Sequence, residues 1–122
     1  MRFVCLHRPG TAEGSRELTP EQIERLSDLL YEMGMAGALL AVEGMLESVH
    51  GVRVRRRQGE VSAVDGPFKD VEQLVSSVLF IRAKTKADAV AWAKKLLEVL
   101  GDGELELRLI RAQTAQRVES LA

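Results

Sequence analysis

Apolar residues recur along the chain with the two spacings that distinguish strands from helices. Three short stretches are apolar at nearly every position, which is typical of strands buried on both faces of a sheet. Two others alternate valine with arginine, or leucine with charged residues, which indicates strands with one face in solvent. The strand at residues 61–64 follows the turn Gln58-Gly59-Glu60 and forms a hairpin with the strand at residues 52–57. The strands are predicted at residues 2–7, 38–42, 52–57, 61–64, 74–82 and 104–109.

Two further stretches repeat their apolar residues every three to four positions, the spacing of an amphipathic helix. Thr19 stands three residues before Gln22 and predicts a capping box at the start of the first helix. Gly37 ends that helix. Thr85 suits the N-cap of the second helix, which stops at Gly101-Asp102-Gly103.

The order strand, helix, strand, hairpin, strand, helix, strand predicts an α+β fold, a ferredoxin-like sandwich with both helices on one face of the sheet. Three strands are apolar on both faces, yet the helices cover only one. The other face needs a second apolar layer, and a second copy of the same sheet is the simplest one. An apolar sheet face left in water is unfavourable by about 25 cal/mol per Å². We therefore predict a homodimer with its sheets packed face to face.

Length, charge and cysteine usage bear on the number of domains, the kinds of partner and the cellular location. With 122 residues, the chain is predicted to be one domain at residues 1–111, followed by a polar tail at 112–122. A formal net charge of −1 gives no electrostatic reason to expect nucleic acid as a partner. No apolar run approaches the roughly 20 residues of a membrane span, so no membrane partner is expected. The single Cys5, with no visible signal peptide, predicts a cytoplasmic protein.

The turn Asp65-Gly66-Pro67-Phe68, between the hairpin and the next strand, is the candidate site. Glycine and proline break regular structure, so the turn places a carboxylate beside a phenyl ring. In a first hypothesis, the protein is a small-molecule binding or regulatory module with a pocket beside this turn. The predicted ligand-binding residues are Glu43, Asp65, Phe68 and Asp70, with His7 as a further contact.

In a second hypothesis, the protein is an enzyme in which Asp65 acts as general acid or base, with His7 or Glu43 as the second group. This role requires that the pKa of Asp65 move toward neutrality. Repulsion from Glu43 and Asp70 would raise it if these carboxylates lie close together. In a third interpretation, Asp65 only accepts hydrogen bonds from backbone N–H groups of its own turn.

Other motifs are interpreted as structural. Arg55-Arg56-Arg57 lacks a glycine-rich loop and interleaved aromatic residues, so it is taken as a solvated strand face and not as a phosphate site. Ser76 and Ser77 stand near no histidine in a recognisable motif and are taken as packing positions. No metal site and no cofactor is predicted.

The sequence resembles the DGPF domain family, within the YCII-related superfamily of dimeric α+β barrels. Asp65-Gly66-Pro67-Phe68 is the motif that names the family, and the resemblance covers roughly residues 1–111. Further matching segments are Ala36-Gly37-Ala38-Leu39-Leu40, Glu43-Gly44, Val52-Arg53-Val54, Ala91-Trp92-Ala93 and Glu106-Leu107-Arg108.

The resemblance implies two further roles. Related proteins are suspected to be enzymes because a cleft holds an acidic residue and a histidine. Members of a similar group accompany extracytoplasmic-function sigma factors, which implies a sigma factor as a partner.

After the motif, the family commonly continues with a small residue, Glu, a small residue, Lys and Glu. Here the residues that follow are Lys69, Asp70, Val71, Glu72 and Gln73. Asp70 keeps the acidic position, Glu72 reverses the charge where lysine is expected, and Ser76 and Ser77 replace expected glycines. A site that depends on that lysine is therefore altered in this chain.

Overall fold

The computed structural model describes residues 1–112 of the chain. Three single turns of 3₁₀ helix lie in its connections, at Glu13–Ser15, Ser48–His50 and Val71–Gln73. The strands and helices of this part are β1 (Arg2–Arg8), α1 (Pro20–Met35), β2 (Leu39–Gly44), β3 (Val52–Arg57), β4 (Glu60–Asp65), β5 (Ser77–Arg82), α2 (Lys86–Leu100) and β6 (Glu104–Leu109).

Four strands form one antiparallel sheet in the order β2-β5-β1-β6. Both helices pack on one face of this sheet, where buried residues of α1 and α2 join those of β1 and β5 in a common core. This arrangement is the ferredoxin-like α+β sandwich and confirms the predicted fold class. The hairpin of β3 and β4 forms a separate two-stranded sheet.

The register of β1, the strand between β5 and β6, sorts its side chains onto two faces. Phe3, Cys5 and His7 are buried on the helix side, whereas Val4 and Leu6 are half-buried on the other side. Burial raises the pKa of the Cys5 thiol to about 11. The principal core side chains from the strands and helices are Phe3, Cys5, Leu79, Ile81, Leu29, Met33, Leu96 and Val99.

Both helices begin at the predicted caps. Thr19 Oγ1 accepts a hydrogen bond from the Gln22 backbone N–H at 3.1 Å, and Gln22 Oε1 accepts one from the Thr19 N–H at 2.9 Å. This reciprocal pair is the capping box. Thr85 Oγ1 accepts from the Asp88 N–H at 3.1 Å and caps α2. Gly37 follows α1 with φ of 71°, a left-handed conformation that glycine adopts without strain.

Strand β5 is shorter than the strand predicted at residues 74–82. It begins at Ser77, after the 3₁₀ turn Val71–Gln73. Leu74 is 8% exposed although it lies outside the strand, so its apolar character reflects burial and not strand pairing. The predicted tail at residues 112–122 lies, apart from Ala112, outside the described residues.

The open end of the hairpin is fixed to the chain segment that precedes it. The Gly66 N–H donates to the Gly51 carbonyl at 2.9 Å, and the Phe68 N–H donates to Ser48 Oγ at 2.9 Å. Gly66 lies so close to the Ser48 carbonyl that a Cβ at this position would overlap it. Position 66 therefore requires glycine for lack of space.

We expect Gly66→Ala to lower the free energy of unfolding by about 3 kcal/mol, because the added methyl group displaces the Ser48 carbonyl. Urea denaturation measures this change. Gly34→Ala is the matched control, since a Cβ there meets nothing within 4 Å inside α1. That variant should gain up to about 1 kcal/mol from the higher helix propensity of alanine. Equal losses in both variants would contradict the close approach at Gly66.

Candidate functional site

Asp65, the predicted acid or base, is the last residue of β4 and is exposed. Its carboxylate makes no hydrogen bond or ion pair with any residue in 1–112, including the N–H groups of its own turn. The structure therefore gives Asp65 neither a second titratable partner nor a local role as a hydrogen-bond acceptor within this part of the chain.

Arg53 contacts two of the predicted ligand-binding residues. Its guanidinium carbon lies 3.9 Å from the centroid of the Phe68 ring. Its Nη2 donates to both carboxylate oxygens of Asp70, at 3.0 and 2.9 Å. These hydrogen bonds lower the pKa of the Asp70 carboxyl. Phe68 and Asp70 thus hold the hairpin against the segment that follows it.

Ser48 joins the turn to the loop after β1. Glu13, in that loop, accepts hydrogen bonds from the Ser48 N–H at 2.6 Å and from the Ser48 hydroxyl at 2.8 Å. The same hydroxyl oxygen accepts the Phe68 N–H. The two bonds from Ser48 lower the pKa of the Glu13 carboxyl. Three segments that are distant in sequence therefore meet at one serine side chain.

A cavity of about 560 Å³ lies between α1, α2 and the end of the sheet that holds His7. Its apolar wall is built mainly from leucines of both helices and of β5. Its polar wall comes from the loop after β1 and from the start of β5. Its lining includes Leu26, Leu30, Leu100, His7, Arg16 and Ser76.

His7 is the buried polar residue of this cavity, with only 6% of its surface exposed. Its Nδ1 lies 3.0 Å from Ser76 Oγ and 3.5 Å from Ser77 Oγ. Its Nε2 is buried and has no hydrogen-bond partner within residues 1–112. Burial, and then the positive charge of Arg16, lower the pKa of His7 below 6.5. The neutral imidazole is therefore the stable form at neutral pH.

Glu43 lies on the opposite side of the sheet from His7. It is exposed in β2 and pairs with Val78, whose register places both side chains on the face that the helices leave uncovered. Its neighbour Val42 pairs with Leu79 and lines the cavity. The carboxylates of Glu43, Asp65 and Asp70 therefore do not line this cavity.

The family model of the YCII-related domain matches residues 1–112. The chain belongs to the YCII-related family. This match confirms the predicted superfamily, while the narrower assignment to the DGPF domain stays a prediction. A comparison with curated proteins finds no match.

Among the predicted site residues, His7 alone lines the cavity of this YCII-related domain. Arg16 was not predicted as a site residue, because it lies in a polar loop that shows no periodicity. Ser76 and Ser77 were predicted to be packing positions, whereas both hydroxyls lie beside the His7 ring. The pairing of β1 with β5 produces this contact, and no local motif indicates it.

Two further features bear on the class of function. Within residues 1–112, no group of three or more His, Cys, Asp or Glu side chains is placed to hold a metal ion. No helix in that part of the YCII-related domain is long and apolar enough to cross a membrane.

We expect His7 to titrate below 6.5 in the folded protein, and Arg16→Met to raise its pKa without restoring the ordinary value, because burial is the larger cause. The NMR shift of the His7 Cε1 proton against pH measures this, with His50→Gln to assign the signal. Arg16→Lys keeps the charge and should keep the pKa low. An unchanged pKa in Arg16→Met would exclude the influence of Arg16.

The lowered pKa of His7 makes the stability of the fold depend on pH. Because the unfolded chain binds a proton at His7 more readily than the folded one, the free energy of unfolding should fall as the pH drops below 6.5. The His7 contribution to this loss should stop growing below the folded-state pKa.

Proposed function

We propose that this YCII-related domain is a cytoplasmic homodimer that binds a small molecule in the cavity beside His7. The observation that carries the proposal is a buried imidazole, at the wall of a cavity of about 560 Å³, whose Nε2 has no hydrogen-bond partner among the described residues. Cavities of about 300–1,000 Å³ with an apolar lining and a few polar groups are typical ligand sites. Perturbed titratable groups concentrate at such sites.

The unpaired Nε2 is unfavourable in the folded protein. A buried polar atom without a partner costs about 1–3 kcal/mol, and such atoms are rare in folded proteins. Gly103 lies beside this atom, since a Cβ there would be 3.5 Å from Nε2. The adjacent Asp102 lines the cavity. A ligand group that enters beside this turn would give Nε2 its partner.

The proposal favours binding over catalysis by Asp65. A general acid or base must lie within hydrogen-bond reach of the substrate atom whose proton it transfers. Asp65 is exposed at the end of the hairpin and is not among the residues that line this cavity. An accessory role beside a sigma factor stays a prediction from the resemblance.

The uncovered face of the sheet supports the homodimer. Val4 pairs with Phe80, and Leu6 pairs with Val78, so these four apolar side chains adjoin one another on that face. Phe80 is 38% exposed although it lies in an interior strand. Contiguous apolar surface of this kind marks interaction sites.

The hairpin carries a second exposed apolar surface. Val54 pairs with Ala63, so they share a face with Val52 and Val61, and all four are exposed. A two-stranded hairpin is marginally stable without a packing partner. A second copy would cover both surfaces, which explains why so many valines lie in solvent in one protomer.

Leu26→Trp should weaken ligand binding, because the larger indole narrows the cavity from the side of α1. A thermal-shift screen of a metabolite library tests this, since a ligand at 100 times its dissociation constant stabilises by about 2.7 kcal/mol. Asp65→Asn is the comparison variant and should keep the shift. If Asp65→Asn loses the shift and Leu26→Trp keeps it, the ligand binds beside the turn and the cavity is not the site. Melting without ligand checks that both variants fold.

Light scattering after gel filtration should give about twice the 13.5 kDa mass of one chain. Phe80→Glu should raise the dissociation constant of the dimer at least 100-fold, since burying an unpaired carboxylate costs about 3 kcal/mol or more. Tyr31→Glu is the control, because Tyr31 is 72% exposed on α1, away from the sheet face. A wild-type monomer at high concentration, or equal effects of both variants, would contradict the interface.

A further inference from the structure

We propose that the cavity selects an amphipathic carboxylate, whose apolar body lies against the helix leucines and whose carboxylate pairs with Arg16. This inference rests on the proposed function and names the ligand class of the same site. The cavity has one mainly apolar wall and one polar wall.

The helix wall of the cavity is mainly apolar, and its one polar residue, Gln22, already uses its side chain in hydrogen bonds to the Thr19 N–H and the Val99 carbonyl. Leu26 and Leu30 of α1 and Leu100 of α2 are half-buried, so part of each side chain remains available at the cavity surface. Leu79 and Leu96, which also line the cavity, are buried. A ligand body that displaces water from this wall is therefore apolar.

Arg16 is the half-buried cation of the opposite wall. Its Nε and Nη2 donate to the Thr11 carbonyl at 2.8 and 2.6 Å, and Nη2 also donates to the Val71 carbonyl at 3.3 Å. Neutral carbonyls thus fix the guanidinium and leave its charge unpaired. Within residues 1–112 it forms no ion pair, and its Nη1 makes no hydrogen bond. A fixed guanidinium with a free N–H is suited to a carboxylate.

The His7 ring adds a second donor at this end. Within the described chain, the Ser76 hydroxyl has no acceptor other than ring atom Nδ1, so we assign the Ser76 proton to that hydrogen bond. The ring proton then lies on Nε2, which becomes a donor without an acceptor. Nε2 is buried beside the turn that holds Gly103, so a ligand reaches it only if that turn moves, whereas Arg16 is half-buried at the cavity wall. The Arg16 guanidinium and the His7 Nε2–H are both hydrogen-bond donors, so both favour an acceptor oxygen on the ligand.

Two carboxylates at the cavity, Glu17 and Asp102, oppose an anionic ligand. Both are exposed, so water and salt screen their repulsion, whereas Arg16 is half-buried. The positive charge of Arg16 also lowers the pKa of Glu13, but the carboxylate oxygens of Glu13 already accept the two hydrogen bonds from Ser48. The cation is therefore left for a ligand. An amphipathic amine, which would pair with Glu17 and Asp102, is the competing outcome of the test.

Three eight-carbon probes distinguish these outcomes by isothermal titration calorimetry: octanoate, octan-1-ol and octylammonium. Octanoate should bind the wild-type protein at least tenfold tighter than either other probe. Arg16→Met should reduce the preference for octanoate over octanol to less than threefold. Arg16→Lys, which keeps the charge but not the fork of hydrogen bonds to the backbone, should retain most of that preference. Melting curves of both variants control for displacement of the loop.

A second readout separates charge pairing from mere filling of the cavity. Bound octanoate should raise the pKa of His7 measured by NMR, because a nearby anion stabilises the imidazolium. Octanol should leave it unchanged or lower it.

Octanol binding as tightly as octanoate, or octylammonium binding most tightly, would overturn the carboxylate assignment and leave the proposed binding function standing. Failure of all three probes, with a ligand found in the metabolite screen, would also overturn it. Failure of all three together with an empty screen would remove the binding function itself.

Discussion

The central position of β1, hydrogen-bonded to β5 on one side and β6 on the other, is the constraint on which the rest of the structure depends. Side chains of a strand alternate between the faces, so a single register assigns Cys5 and His7 to the helices and Val4 and Leu6 to the uncovered face. A slip of one residue would expose the core and bury the arginines at both ends of the strand. The cavity and the exposed sheet face are thus two consequences of one pairing.

The turn at residues 65–68 has a structural role in this chain. Gly66 fits against a backbone carbonyl, Phe68 stacks under Arg53, and the Phe68 amide is held by Ser48. Through Glu13, the same serine holds the loop that supplies Arg16 to the cavity. The turn therefore fixes the loop that lines the cavity, although the turn itself does not line it.

Local signals predicted the local structure. The capping box at Thr19 and the order of periodic segments gave both helices and the sandwich, because these depend on neighbouring residues. The extent of β5 was overestimated, since Leu74 is buried outside any strand. Of the residues that line the cavity, only His7 was predicted as a site residue. Arg16 and His7 line the same cavity although no local motif links them, and an arginine in a polar loop resembles any solvated one until its carbonyl partners are known.

The burial of Cys5 makes its thiol unreactive in the folded protein. Its thiol is fully buried in the middle of β1, and its raised pKa keeps it protonated at neutral pH. Oxidants and alkylating reagents attack the exposed thiolate, so the native protein resists both. The residue reacts only when β1 separates from its neighbours, which makes modification of this one sulfur a direct report of global unfolding.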